Sequence, residues 1–408
     1  MIEEENIMKK LRKPQKQILV VTALALVALL MTVIPALSQV TGPCVDCHTM
    51  HNSQNATSMA LDVNGNLAPG TGPFEKLLRK DGCVACHSGA YTAGGGGMAE
   101  IPKVLATSAP GSGSQDYSAG GNFYWVATNG GNDDTKGHNV GYLAGSDGNF
   151  TLNAPPGYDA GLSDARGPFD ATHQLTCAGT YGCHGDPDPL KIGDFASLAG
   201  AHHGVENANG FSDGLTIAKS YRFLYGIKGV EDDDWEYTTP TAAEHNQYHG
   251  EDRNANNYSD LTTISHLCCE CHGVFHTAAG ATFASPWIRH PTDFDLSNAT
   301  GDEYQYYNGG TGSDNDYSPI APVAADMSGL SAATTGNMVV ENIFSPPTAL
   351  GSAKAAIVTC ISCHRAHGSE YADLLRWDYD ATTTAIKAGS GAGNVGCFIC
   401  HTTKDDNS

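Results

Sequence analysis

Apolar positions in this chain are sparse and come in short runs. The longest, Ile18 to Ile34, is continuous rather than periodic and follows the basic segment Met8-Lys9-Lys10-Leu11-Arg12-Lys13. Pro35-Ala36-Leu37-Ser38 comes directly after it. A basic start, an apolar centre and small residues at the end predict a secretory signal peptide over residues 1–38, cut after Ser38. The rival reading is an uncleaved membrane anchor, because the run nearly spans a bilayer. Beyond it, helical spacing predicts three short helices. Pro73 to Lys80 has Pro in its first turn, Leu77 and Leu78 facing inward, and Gly82 just past its end. Ser220 to Lys228 is amphipathic and runs into the acidic turn Glu231-Asp232-Asp233-Asp234. Ser369 to Tyr379 carries Leu374, Leu375 and Trp377 on its apolar side.

Elsewhere the periodicity disappears. Residues 88–170 are dominated by Gly, Ser, Asn and Asp, with Gly95-Gly96-Gly97, Gly130-Gly131 and Pro155-Pro156-Gly157, and a second Gly/Asp-rich excursion covers 301–337. Asn122-Phe123-Tyr124-Trp125-Val126 interrupts the first of these, an aromatic cluster that needs burial against a flat surface. No stretch alternates long enough for a large sheet or repeats long enough for a helical bundle. The predicted fold is therefore mostly irregular coil with few short helices and little strand, one elongated unit over residues 39–408. With 48 Gly and only 8% aromatic residues, side chains alone make a thin core, so apolar bulk must come from elsewhere.

The cysteines say where. Cys44-Val45-Asp46-Cys47-His48, Cys83-Val84-Ala85-Cys86-His87, Cys268-Cys269-Glu270-Cys271-His272, Cys360-Ile361-Ser362-Cys363-His364 and Cys397-Phe398-Ile399-Cys400-His401 share one pattern. Two thiols three positions apart with a histidine after the second form a c-type haem attachment site. The thiols add to the two porphyrin vinyl groups, and the histidine takes the iron as proximal ligand. Cys177-Ala178-Gly179-Thr180-Tyr181-Gly182-Cys183-His184 has five residues between its thiols, and the alternative there is a disulfide. The retained Cys-His pair, and Gly and Thr residues able to bulge as a loop, favour a sixth haem. Six haems c use twelve of the 13 cysteines and leave Cys269 as a buried thiol.

Of 17 histidines, His48, His87, His184, His272, His364 and His401 are proximal by position, and eleven remain for the six opposite faces. His51, His276 and His367 follow a proximal histidine by three or four residues, too few to reach round the same porphyrin, so each is expected to serve a neighbouring haem. His138 in Lys136-Gly137-His138-Asn139 and His290 in Arg289-His290-Pro291 lie in turns suited to ligands. His202 and His203 are adjacent and point different ways, so one of the two is expected to coordinate. His173, His245, His249 and His266 are second-tier candidates.

Charge narrows the partners. Residues outside 1–38 hold 17 basic against 41 acidic side chains, a net of −24. Such a surface repels nucleic acid and favours cations, metal ions or basic proteins. A multihaem reductase would need an iron with an open position, but the histidines outnumber the sites and no Cys-x-x-Cys-Lys motif occurs. An electron carrier rather than an enzyme is expected; a monomeric periplasmic shuttle and a multihaem reductase are the alternatives.

The motifs and their flanks also resemble a family. Cys44-Val-Asp-Cys-His-Thr-Met-His-Asn-Ser, Gly-Gly-Asn-Phe-Tyr-Trp at 120–125, Lys-Gly-His-Asn at 136–139, Arg289-His290-Pro291, Cys360-Ile-Ser-Cys-His-Arg-Ala-His and Cys397–His401 occur in this order. Together they look like the hexahaem OmcS-type extracellular cytochromes of Geobacter-like bacteria, with long unmatched insertions and a third site of unusual spacing. The resemblance implies a coil fold round a continuous haem chain, secreted subunits that polymerise into conducting filaments, and electron exchange with other redox cytochromes, extracellular metal oxides or electrodes. It also implies that His51 crosses to the next subunit, to the haem held by Cys360, Cys363 and His364.

Overall fold

In the computed structural model the chain divides into two units, Met1–Gln39 and Val40–Ser408. The structure describes residues 47–48, 53–54, 57–58, 78, 82–88, 101–110, 118–127, 133–141, 143, 155–162, 164–170, 173–188, 190, 194–204, 211–232, 235–236, 245–252, 260–277, 292–296, 320–328, 356–379 and 396–400, all in the second unit. The apolar run Ile18 to Ile34, and the predicted helix Pro73 to Lys80 save Leu78, lie outside them. Among the described residues no helix is long and apolar enough to cross a membrane.

Regular structure within these residues is brief, as expected of a chain so rich in glycine. Strands β1 (Ser53–Gln54) and β2 (Thr57–Ser58) pair antiparallel. β3 (Thr176–Ala178) and β4 (Gly182–His184) pair parallel. β5 (Phe211–Ser212), β6 (Gly229–Val230) and β7 (Gln247–Tyr248) form an antiparallel sheet in that order, and β8 (Phe294–Asp295) pairs antiparallel with β9 (Ile357–Val358). Among the described residues the α-helices are α1 (Asp194–Ser197), α2 (Ile264–Thr277) and α3 (Cys360–Cys363).

Two predicted helices are replaced by tight turns. Ser220 to Lys228 keeps only a 3-10 turn at Tyr221–Phe223, preceded by another at Ile217–Lys219, with Arg222 (φ 48°) and Phe223 (φ 59°) left-handed. Such a conformation costs a non-glycine residue about 1–2 kcal/mol. Arg222 is repaid by its surroundings: its backbone N–H donates to Glu231 Oε1 at 2.6 Å, and its guanidinium to the Asp232 carbonyl at 2.5 Å and Asn246 Oδ1 at 2.7 Å. Hydrogen bonds to charged groups are worth about 1.5–3 kcal/mol each, which outweighs the strain. Ser369 to Tyr379 likewise shortens to Ala372–Leu374, with Asp373 (φ 57°) and Leu374 (φ 58°) left-handed, although Trp377 is buried as its apolar position predicts.

The longest described helix, α2, falls where none was expected. Ile264, Leu267, Cys268 and Cys271 stand at the i, i+3, i+4, i+7 spacing of one helical face. Thr263 caps it, its hydroxyl accepting the His266 N–H at 3.2 Å. The helix loses regular geometry at His272 (φ −116°, ψ 37°), directly after the second thiol.

The core is several small clusters rather than one, and three of them pack directly on motif cysteines. Leu296, Val323, Val358, Trp377 and Ile399 gather against Cys363, Cys397 and Cys400. Val84, Leu105, Phe123, Val126 and Leu143 gather against Cys177, and Leu78, Ala85 and Phe195 against Cys86. Each of these three clusters thus supports an attachment segment.

Candidate haem sites

Four motifs close a single helical turn between their cysteines. In the 3-10 turn Cys83–Ala85 the Cys86 and His87 N–H groups both donate to the Cys83 carbonyl, at 3.1 and 3.0 Å. Cys268 and Cys271 stand one turn apart in α2. Cys360 and Cys363 bracket α3, which Thr359 and Ser362 cap reciprocally. In the turn Gly396–Ile399 the Cys400 N–H donates to the Cys397 carbonyl at 3.3 Å. An i, i+3 pair lies on one helical face, so the turn aims both sulfurs the same way.

The widened third motif reaches the same end differently. Thr176 pairs with Gly182 and Ala178 with His184, which sets Cys177 beside Cys183 in adjacent parallel strands. The intervening turn is closed by the Gly182 N–H on the Gly179 carbonyl at 3.0 Å. Gly179 is left-handed (φ 86°), and a Cβ on Gly182 would meet the Ala178 nitrogen at 2.4 Å. Neither Cys177 nor Cys183, nor any other described motif cysteine, forms a disulfide. Cys269 is 1% exposed and also unbridged.

The histidine rings face one another in pairs. His48 and His202 have ring centres 5.8 Å apart, His87 and His203 6.1 Å, His184 and His367 6.2 Å, and His272 and His138 6.1 Å. Two imidazoles on opposite sides of one metal, with bonds of about 2.0–2.1 Å, put their ring centres roughly 6 Å apart. Each pair joins a motif histidine to one from a distant segment. His202 and His203 each face a different motif histidine, in contrast to the expectation that one of them would. His367 faces His184 rather than its sequence neighbour His364.

The other ring nitrogen is spoken for by backbone. His87 Nδ1 lies 2.8 Å from the Pro102 carbonyl, His184 Nδ1 2.9 Å from that of Arg222, His272 Nδ1 2.6 Å from that of Pro156 and His364 Nδ1 2.7 Å from that of Asp373. Among the facing rings, His138 uses the Ala366 carbonyl at 2.5 Å, and His203 and His367 make longer contacts of 3.4 Å to Gly200 and Gly121. A donating Nδ1–H leaves Nε2 with a lone pair for a metal. Burial holds His87 and His138 down to about 4 and His367 to about 3, and lowers His184 and His203, so these rings are neutral at pH 7.

The second-tier histidines separate on the same grounds. His249 has both nitrogens engaged, Nε2 with Asp260 at 2.8 Å and Nδ1 accepting the Met327 N–H at 2.9 Å. His266 Nε2 meets Asp164 at 3.0 Å, and His173 Nδ1 meets Asp170 at 3.1 Å. His245 has the pattern of the facing rings: it is buried, its Nδ1 lies 2.6 Å from the Asn246 carbonyl, and burial lowers it to about 4. Its sequence context carried no such signal. Cys44, His51, His290 and His401 lie outside the described residues, as does the side chain of His276.

Successive sites adjoin. A hydrogen bond with the Cys47 thiol, and then burial, pushes the Cys86 thiol far up, and a hydrogen bond with Cys360, and then burial, does the same to Cys268. Burial and then Cys183 raise Cys271 to about 12, and burial and then Cys397 raise Cys363 to about 12. His203 and His184 both help to lower His87, and His203 helps to lower His184. The sites therefore follow one another in sequence order.

Residues 353–406 match the family model of the doubled CXXCH motif. The chain is 25% identical to the C-type cytochrome OmcS of Geobacter sulfurreducens over 394 residues, covering 85% of this chain and 82% of the relative. The chain is similar to OmcS over most of its length. Two solved structures are also similar. Cryo-EM of the OmcS nanowires from Geobacter sulfurreducens matches with 23% identity and a TM-score of 0.37, covering 83% of this chain and 84% of that one. The Outer Membrane Cytochrome S Filament matches with 19% identity and a TM-score of 0.35, covering 84% of each. In this cytochrome the paired thiols and neutral, facing imidazoles fit covalent haem c, and the Nδ1 carbonyls lie outside every motif, where motif reading does not reach.

Proposed function

We propose that this cytochrome carries six haems c, works outside the cell and polymerises head to tail into a conducting filament. The observation that carries the reading is the four facing imidazole pairs, each at the spacing of a bis-histidine metal site and each including the histidine of an attachment motif. Cys44/Cys47, Cys83/Cys86, Cys177/Cys183, Cys268/Cys271, Cys360/Cys363 and Cys397/Cys400 would hold the porphyrins. His48 with His202, His87 with His203, His184 with His367 and His272 with His138 would hold four irons. His364 would be completed by His51 of a neighbouring subunit, and His401 by His290, His276 or His245 of its own chain. Haem iron, when bound, supplies a one-electron couple whose potential its axial ligands set.

The chain's own part is to order that couple. Backbone carbonyls at Nδ1 of His87, His138, His184, His272 and His364 fix those rings' tautomers and raise their basicity. Thiols of successive motifs in contact bring neighbouring macrocycles together, so an electron needs no diffusing carrier between them. With every sixth position filled by histidine, no iron is left for a substrate, which supports transfer over catalysis. OmcS forms nanowires, and the likeness to it over most of the chain supports the filament and an extracellular site. A pyridine haemochrome assay should count six haems per chain, and electron paramagnetic resonance should find only low-spin ferric iron. Negative-stain microscopy of sheared cell-surface material should show fibres. A count of five removes the third site, a high-spin signal favours a reductase, and a soluble monomer favours a shuttle.

A further inference from the structure

Arg166 is 7% exposed and belongs to no motif. Its guanidinium donates to the Gly182 carbonyl, to the Gly179 carbonyl at 3.3 Å and to the Glu270 carboxylate. Its own N–H donates to the Glu270 carbonyl at 2.8 Å. Gly179 and Gly182 bound the extra residues of the third motif, and Glu270 stands inside the fourth, between Cys268 and Cys271. One buried cation thus ties the widened loop to its neighbour's attachment helix.

We propose that Arg166 is the positioning residue that makes the third site loadable, by holding the Cys177–Cys183 loop shut; this rests on the six-haem reading above. A two-residue spacing closes through its own helical turn, as the other described motifs do. A five-residue spacing has no helical turn; its two short strands and the Gly179–Gly182 turn bring the thiols together, and Arg166 pins that closure from outside. Arg166 takes both glycine carbonyls at the loop's neck, and Glu270 holds the guanidinium in place. Only a planar fork reaches two carbonyls and a carboxylate at once, which a lysine ammonium does not match. The rest of the loop is braced as well: Thr180 Oγ1 donates to the Pro187 carbonyl at 3.1 Å, and the Tyr181 ring stacks on His173 at 5.0 Å. With the neck closed, both S–H groups are presented side by side. Each adds across one vinyl group, sulfur to the inner carbon and hydrogen to the terminal one, with no net oxidation or reduction.

The test is haem mapping by mass spectrometry of peptides from the full chain, made with bacterial haem-attachment machinery. Arg166→Gln should lower the haem-bearing fraction of the Cys177–His184 peptide at least tenfold and leave the other five peptides loaded. Glu270→Gln should lower it several-fold. Deleting Gly179, Thr180 and Tyr181 leaves Cys177-Ala178-Gly182-Cys183-His184, a two-residue spacing that closes itself, and should restore loading in the Arg166→Gln background. Normal loading in Arg166→Gln overturns the proposal, and so does failure of the deletion to rescue, which would make Arg166 a general folding residue. A wild-type peptide without haem overturns the six-haem reading itself, a result distinct from both.

Discussion

At the scale of single residues, the decisive property of the histidines is which nitrogen the protein occupies. A ring with Nδ1 on a carbonyl and Nε2 inward is built for a metal, whereas His249, engaged at both nitrogens, is built for structure. Replacing His367 by Ala should leave the covalent haem count unchanged and convert one haem to high-spin, read by electron paramagnetic resonance. An unaltered low-spin spectrum would remove His367 from the ligand set. Replacing His203 by Met should raise the midpoint potential of one haem, since a thioether ligand raises potentials relative to imidazole, and a redox titration would show it. The His249–Asp260 pair predicts a pH effect. The His249 hydrogen bond, aided by Thr262, holds the Asp260 carboxyl below its ordinary range against the opposing pull of burial. A depressed carboxylate adds stability that is complete above its unfolded pKa of about 3.9 and is lost as pH falls through the folded value. Asp260→Asn should therefore cost about 1–3 kcal/mol in denaturant unfolding at pH 7, and the gap should narrow below pH of about 4. An equal gap at pH 7 and pH 3 would refute the charge-based account.

Among the elements, two left-handed turns share a task. Arg222 and Asp373 each present a carbonyl to a motif histidine, His184 and His364, and the next residue's carbonyl takes the N–H after that histidine, Phe223 to Gly185 at 2.7 Å and Leu374 to Arg365 at 2.8 Å. Amphipathic spacing suggested helices at both places. A helix would have turned those carbonyls into its own ladder, away from the imidazoles, and the long-range hydrogen bonds prevailed. Asp373→Val should destabilise by about 1–2 kcal/mol, because a β-branched residue resists the left-handed region, while Asp373→Gly should be neutral or stabilising. Thermal unfolding of the two variants against wild type checks this. In α2, Thr263→Ala should cost about 1 kcal/mol through loss of the N-cap.

For the whole molecule, the remaining prediction is assembly. His51 sits three residues after His48 and near the start of the expected mature chain, and terminal segments in general are the ones most available to dock on another copy. A ligand given at one end and received at the other is a head-to-tail contact that propagates rather than closes. His51→Ala should leave a six-haem monomer with one high-spin iron and no fibres by negative stain; filaments from that variant with every iron low-spin would place His51 within its own chain. The covalent chemistry was already written in the sequence: motif spacing names thiols and proximal histidines because attachment demands neighbours along the chain. So was the coil, since a glycine-rich chain with few aromatic residues has no side-chain core to order long elements. The facing histidines were decided only by the tertiary structure. A second axial ligand must come from the opposite side of the ring, and any segment that folds back there will serve, so His202, His203, His138 and His367 carry no local mark of the site each one faces. The same holds for Arg166, whose place between two motifs follows from three long-range contacts and from nothing beside it in the chain.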